Sequence, residues 1–169
     1  MKMAVIATGG TFDKEYDEIG GTLYFKKTHL QEMLSMGRCR LALRIQVVMM
    51  KDSLEMTEAD RRRILDACRA CQEPRIVITH GTDTMVETAR FLEGNVPGKT
   101  VVLTGAMIPY TFGSSDGLFN LGSALSFAQV LPEGVFVAMN GRFFPAGRVR
   151  KDRRRGIFVK SPGKSTGPE

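Results

Sequence analysis

Cysteine and histidine are scarce in this chain, with three cysteines and two histidines among 169 residues. The odd set Cys39, Cys68 and Cys71 does not suggest a disulfide framework. Cys68-Arg69-Ala70-Cys71 has C-x-x-C spacing, but no second cysteine pair exists to complete a zinc site. Ile64, Leu65, Cys68 and Cys71 fall on one helical stripe, so the pair is read as core. No apolar run is long enough to span a bilayer. Met1-Lys2 runs straight into an apolar strand and leaves no room for a signal peptide, so a cytoplasmic protein is expected. The tail carries Gly163-Lys164-Ser165, yet its upstream glycine, Gly156, is at the wrong distance for a phosphate loop, and no helix follows. Net charge is +6, and Arg148, Arg150, Lys151, Arg153, Arg154, Arg155, Lys160 and Lys164 crowd the C-terminal end. No aromatics are interleaved among them, so this end reads as a solvated loop or a face for an acidic partner. A nucleic-acid surface is the less favoured reading.

What is present is an ordinary globular composition, 43% apolar and 25% charged, in a length that suits one domain with a real core. Short continuous runs rich in β-branched residues predict strands at 3–7, 42–49, 75–78, 100–103 and 134–138. Helical patterns lie near 28–36, 58–71, 84–92 and 117–130. Thr57 before Glu58-Ala59-Asp60 reads as an N-cap with acids in the first turn. Gly94 or Asn95 offers a left-handed cap to the third helix. This alternation predicts an α/β fold, a doubly wound, mostly parallel sheet with helices on both faces, a Rossmann- or flavodoxin-like three-layer sandwich. The domain is placed at residues 1–160, with 161–169 as a flexible tail. Residues 13–24 are polar, with a Gly20-Gly21 hinge and a short hairpin strand at 23–25. A loop so close to a candidate nucleophile suits a lid; the plainer reading is a surface hairpin.

One chemical phrase occurs twice. Thr8-Gly9-Gly10-Thr11 follows one apolar run, and Thr79-His80-Gly81-Thr82-Asp83-Thr84 follows another. In a parallel sheet such strand ends lie side by side where ligands bind. Two threonines facing a common crevice suit attack on a carbonyl carbon if a base is at hand. Asp83 alone is too weak a base; a buried lysine would serve, but spacing does not identify which. Against this, threonine after glycine is commonly a turn or cap residue. A third strand end, Thr104-Gly105-Ala106-Met107, offers backbone groups. His80 should point away from Thr82 and is read as structural. His29 is read as a surface or capping residue, and Ser114-Ser115-Asp116 as a helix cap. Asp52-Ser53 either reaches the crevice or turns the chain.

Ala7-Thr8-Gly9-Gly10-Thr11 and His80-Gly81-Thr82-Asp83-Thr84-Met85 resemble the two signature motifs of bacterial-type L-asparaginases. Asp52-Ser53-Leu54-Glu55-Met56, Gly105-Ala106-Met107-Ile108-Pro109, Ser115-Asp116-Gly117-Leu118-Phe119-Asn120-Leu121 and Val137-Ala138-Met139-Asn140 resemble further family segments. Val149-Arg150-Lys151 aligns with the segment that bears the family's catalytic lysine. The resemblance implies hydrolysis of the asparagine side-chain amide through a threonine acyl-enzyme, without metal or organic cofactor. It implies Thr11 as nucleophile, assisted by a loop tyrosine, Tyr16 or Tyr24, and a second cluster of Thr82, Asp83 and Lys151. Ser53 and Asp83 would hold the substrate's α-carboxylate and α-amino groups, alongside Gly10 and Asp52. Backbone around Gly81, Thr82 and Ala106 would surround the amide. The family's smaller C-terminal domain, which lends an acidic residue to a neighbouring subunit, is not expected here. A homo-oligomer, dimer or tetramer, is expected, with a small amino-acid substrate and no membrane partner. Two alternatives stand beside this one: an amidase subunit of a tRNA-dependent amidotransferase, and a catalytically silent amino-acid-binding module.

Overall fold

The computed structural model describes residues 2–161. In chain order its elements are β1 (Lys2–Gly9), β2 (Lys14–Asp17), β3 (Thr22–Phe25), α1 (Leu30–Met36), β4 (Ala42–Lys51), α2 (Glu58–Ala70) and β5 (Arg75–Thr79). Then come α3 (Met85–Leu92), β6 (Thr100–Thr104), α4 (Gly117–Val130), β7 (Gly134–Met139), β8 (Arg142–Pro145), β9 (Val149–Asp152) and β10 (Ile157–Lys160). The expected strands and helices are all present. The main sheet runs β4-β1-β5-β6-β7-β8. Its first five strands are parallel, and β8 adds antiparallel to β7.

Burial on both sheet faces explains why the strands read as continuous apolar runs. Along β1, Met3, Val5 and Ala7 point into one core with α1 and α4. Ala4 and Ile6 point into the other, with α2 and α3. Successive strand residues face opposite sides, so a run buried on both must be apolar throughout. Each fully buried aliphatic side chain here, such as Ile6, Ile64 or Leu103, contributes about 1.5–3 kcal/mol. Cys68 and Cys71 are buried in the second core, as the stripe predicts. Burial pushes the Cys68 thiol up to about 12, which leaves it protonated and inert. Thr57 closes a full capping box with Asp60 at the start of α2. Gly94, at φ +76°, is the left-handed residue past α3.

One connection is unusual. The crossovers β1–α1–β4, β4–α2–β5 and β5–α3–β6 share one hand, because α1 lies on the opposite face and its connection runs in the opposite direction along the sheet. β6–α4–β7 continues in the direction of β5–α3–β6, yet α4 lies on the other face from α3. It therefore has the opposite hand, the left-handed form that parallel units adopt only about 2% of the time. The chain after β6 lies across the carboxyl ends of the strands, where a Cβ on Gly105 would meet the His80 carbonyl and the Thr111 hydroxyl donates to the Lys14 carbonyl. Residues 105–116 thereby become part of the roof of the crevice.

Three expectations are corrected. The basic C-terminal end is more than a loop among the described residues: β9 and β10 pair antiparallel, with Lys151 opposite Phe158, and Arg153, Arg154 and Arg155 sit on the exposed turn between them. Val149 and Phe158 anchor this ribbon in the α3 core, and Arg90 of α3 donates to the Val149 carbonyl at 3.1 Å. His29 is neither on the surface nor a side-chain cap. It is 5% exposed, with its ring 5.6 Å from that of Tyr110 and Nε2 3.3 Å from a Glu15 oxygen. Asp116 holds the N-cap position of α4 without capping it. Its carboxylate instead accepts the N–H groups of Met107 and Ile108, which fixes the roof, and Ser115 Oγ takes the Gly117 N–H at 2.9 Å. Residues 162–169, the rest of the expected tail, lie outside the described residues.

Candidate active site

Strand order places the switch point of the sheet at β1 and β5, where open parallel sheets bind ligands beyond the strand carboxyl ends. Both copies of the doubled phrase end there. Glycine is required because backbones meet with no room for side chains. Gly10 takes φ +76° and ψ −178°, and a Cβ on it would overlap the Gly81 backbone. A Cβ on Gly9 would strike the Lys51 backbone, one on Gly81 the Ser53 side chain, and one on Gly105 the His80 carbonyl. The carboxyl ends of four strands, β4, β1, β5 and β6, are thus locked against one another through glycines. Gly10 N–H also donates to the Lys51 carbonyl at 2.9 Å, fastening β1 to β4.

Above this floor, Lys151 reaches in from β9. Its Nζ donates to Thr82 Oγ1 and Asp83 Oδ1, each at 2.8 Å. The lysine side chain is 10% exposed and Asp83 36%, while Thr82 is buried. A hydroxyl, a carboxylate and an amine therefore converge from positions almost seventy residues apart in the chain. Ser53 and Ala106 are buried beside them, and the Ser53 carbonyl accepts the Thr84 hydroxyl at 2.8 Å. His80 turns its ring away, with Nδ1 2.8 Å from the Gly81 carbonyl and Nε2 2.8 Å from Thr88 Oγ1. Burial holds its pKa down at about 4, so it is a neutral structural group, as expected.

Thr11 opens a single tight turn, Thr11–Asp13, after β1 and is half-buried. Asp13 pins that turn: its Oδ1 accepts the Thr28 hydroxyl at 3.1 Å and the His29 N–H at 2.9 Å. Burial raises the Asp13 pKa against those bonds. The hairpin β2–β3 follows and is tied down on both sides. Lys14 pairs with Asp52 at 2.5 Å, and the Thr111 hydroxyl donates to the Lys14 carbonyl at 3.2 Å. Asp52 also accepts the Leu54 N–H, so it turns the chain as well as facing the hairpin. Burial alone would raise its pKa; Lys14 and the Leu54 N–H together outweigh that and hold it low. The two tyrosines are not brought onto the cluster. Tyr16 is exposed, edge-on to Phe112 at 6.4 Å. Tyr24 donates to Glu15 at 3.2 Å.

A cavity of about 680 Å³ lies elsewhere, between α1 and α4 around Met33, Phe119 and Gly122. It shares no residue with this cluster and brings no acid together with a hydroxyl. Among the described residues, no group of His, Cys, Asp and Glu is placed to hold a metal. No helix there is long and apolar enough to cross a membrane.

The family model "Asparaginase, N-terminal" matches residues 2–158. An L-asparaginase of Thermococcus kodakarensis is 31% identical over 164 residues, 93% of this chain and 49% of the relative. Its solved structure superposes with a TM-score of 0.83, covering 95% of this chain and 51% of that one. The "Glutaminase-asparaginase" of Acinetobacter glutaminasificans is 44% identical over 94 residues, 53% of this chain and 28% of the relative. A "Probable L-asparaginase periplasmic" of Haemophilus influenzae is 51% identical over 79 residues, 44% of this chain and 23% of its own. The "Probable Cytoplasmic L-asparaginase" of Campylobacter jejuni has a TM-score of 0.75 at 30% identity, covering 89% of this chain and 49% of that one. The chain spans about half the length of the solved relatives it matches. With the family model matched across nearly all of the described fold, this chain belongs to the asparaginase family and carries its N-terminal domain.

Proposed function

We propose that the crevice at the ends of β1 and β5 hydrolyses the side-chain amide of L-asparagine through a threonine acyl-enzyme, yielding L-aspartate and ammonia. The observation that carries this reading is Lys151 Nζ at 2.8 Å from both Thr82 Oγ1 and Asp83 Oδ1. A threonine hydroxyl is a weak nucleophile until a neighbour takes its proton. The lysine is close enough to do so, and Asp83 stabilises the ammonium that results. Proton transfer through such a pair accelerates reactions about 10²–10⁴-fold. Thr11, at the crevice mouth, receives the acyl group and gives its proton to the departing nitrogen, while the Thr82–Lys151 pair activates the water of the second step. The amide C–N bond breaks, ammonia leaves with a proton, and water then cleaves the threonyl ester. Ser53 and Asp83 hold the substrate's α groups, with Gly10, Asp52, Gly81 and Ala106 lining the pocket. Tyr16 or Tyr24, on the hairpin that follows the Thr11 turn, assists Thr11.

The basic ribbon takes its place in this reading without any RNA partner, because it delivers Lys151 to Thr82. Glutamine as a second substrate, a cytoplasmic location and assembly into a dimer or tetramer belong to the same proposal. The names of the relatives support asparagine and glutamine, and they divide between cytoplasm and periplasm. The test is ammonia release from asparagine and glutamine by the purified chain, beside Thr11→Ala and Thr82→Ala. Release that disappears in both variants, while their folded spectra persist, supports the assignment. Full activity in either variant removes that threonine from it.

A further inference from the structure

The β9–β10 ribbon brings more cations to the crevice than the reaction above uses. Lys151 already occupies Asp83 Oδ1 at 2.8 Å. Arg153, two residues on, holds one guanidinium nitrogen 3.7 Å from the same oxygen and another 3.5 Å from the Asp83 carbonyl. The turn that carries it is well defined. The Asp152 carboxylate accepts the N–H groups of Arg154 and Arg155 at 3.1 and 3.2 Å. Gly156 takes φ +64°, and a Cβ there would stand 3.5 Å from Met107 Cε. Met107 follows Ala106 at the end of β6, so this turn borders the rim from Asp83 to the crevice roof.

At Asp83 itself the paired charges leave a positive remainder. Asp52 is paired with Lys14 at 2.5 Å. Asp83 faces two cations with one carboxylate. Arg153 is therefore the surplus charge, and it is 66% exposed. An ammonium arriving at Asp83 meets two cations already on its oxygen. A carboxylate arriving at the same rim meets a guanidinium whose planar N–H groups suit bidentate pairing. Exposure and salt screening keep the effect modest.

We propose that Arg153 is a specificity-determining residue that shifts the crevice's selection from the ammonium of its substrate to the carboxylate. The substrate class that fits is the ω-monoamide of a dicarboxylic acid without an α-amine, the succinamate type, taken at least as well as asparagine. This inference rests on the amide hydrolysis proposed above. The reaction balances in the same way: water supplies the new hydroxyl on the acyl carbon, the C–N bond breaks, and the nitrogen leaves as ammonia.

The experiment measures kcat/KM for succinamate and asparagine with the full chain, with Arg153→Gln and with Arg62→Gln. Arg62 is an exposed arginine paired with Glu58 on α2 and controls for net charge. The expected result is a succinamate-to-asparagine ratio of one or more, falling about fivefold in Arg153→Gln and unchanged in Arg62→Gln. A wild-type preference for asparagine overturns the proposal, as does a ratio that Arg153→Gln leaves alone or Arg62→Gln shifts equally. If neither amide yields ammonia, the hydrolysis reading fails instead, and calorimetry with succinate and aspartate decides charge selection. Tighter succinate binding that is lost in Arg153→Gln supports it; equal binding overturns it.

Discussion

Acidifying the protein tests the accounting around His80, whose ring is wholly buried one residue before Gly81. A carbonyl oxygen only accepts, so the proton sits on Nδ1 facing the Gly81 carbonyl, and Nε2 accepts the Thr88 hydroxyl. Burial lowers the pKa from 6.5 to about 4. Between those values the unfolded chain binds a proton that the folded chain refuses. The contribution to stability is complete above pH 6.5 and is lost as pH falls toward 4. At about 1.4 kcal/mol per pH unit, that window is worth about 3 kcal/mol, or roughly 6–12 °C in Tm for a domain of this size. The assay is thermal unfolding of the wild type and His80→Gln in small pH steps from neutral to acid. Glutamine keeps one amide partner and does not charge, so the variant begins less stable and its curve is flatter through the window. Other titrations cancel in the difference: Asp60, lowered to about 2 by Lys51, Asp52, lowered by Lys14 against the pull of burial, and Asp13, raised by burial. Parallel curves for the two proteins would refute the reasoning.

Two further outcomes follow from the site geometry. Gly10→Ala and Gly94→Ala both place a side chain at φ +76°, but the first overlaps the Gly81 backbone and the second meets open space. Gly94→Ala is expected to cost about 1–2 kcal/mol and Gly10→Ala about 3 kcal/mol or more; equal urea midpoints would show that the crowding does not matter. Lys151→Met keeps the length of the side chain and removes the amine. It is expected to lower kcat/KM for asparagine by about 10²–10⁴-fold while stability moves by no more than about 1 kcal/mol, since Asp83 is over a third exposed. Retained turnover would remove Lys151 from the mechanism.

The sheet was legible because burial on both faces leaves a signature no loop imitates: unbroken apolar runs rich in β-branched residues, as in Ile76-Val77-Ile78 and Val101-Val102-Leu103. The helices were legible from their caps and stripes, with Thr57 the plainest case. The ribbon was not. Arg150, Arg153, Arg154 and Arg155 make it look like solvated loop, and what folds it is the docking of Val149 and Phe158 on the α3 core, a contact that leaves no periodic mark. His29 misled because a polar residue before a helix looks like a cap, whereas its burial is decided by Tyr110 far along the chain. At the site, the doubled glycine phrase announced the crevice, and only the fold shows that the glycines meet one another. The lysine was named through resemblance alone; spacing singles out none of the chain's many lysines.

The central position of β1 bears on how the chain is made. β1 leaves the ribosome before either neighbour, yet it lies between β4 and β5. Its second neighbour, β5, ends about 70 residues later. At roughly 5–20 residues per second, that is a wait of about 4–14 seconds. Throughout it, the apolar stretch Met3-Ala4-Val5-Ile6-Ala7 has at most one edge covered. Early translation therefore presents a sticky strand for seconds, long enough for holdase capture or for pairing between neighbouring nascent chains. The two halves of the crevice meet only when Gly81 has emerged to close against Gly10. Before that moment the nascent chain carries the Thr11 turn without the strand end that closes the floor of the crevice beneath it.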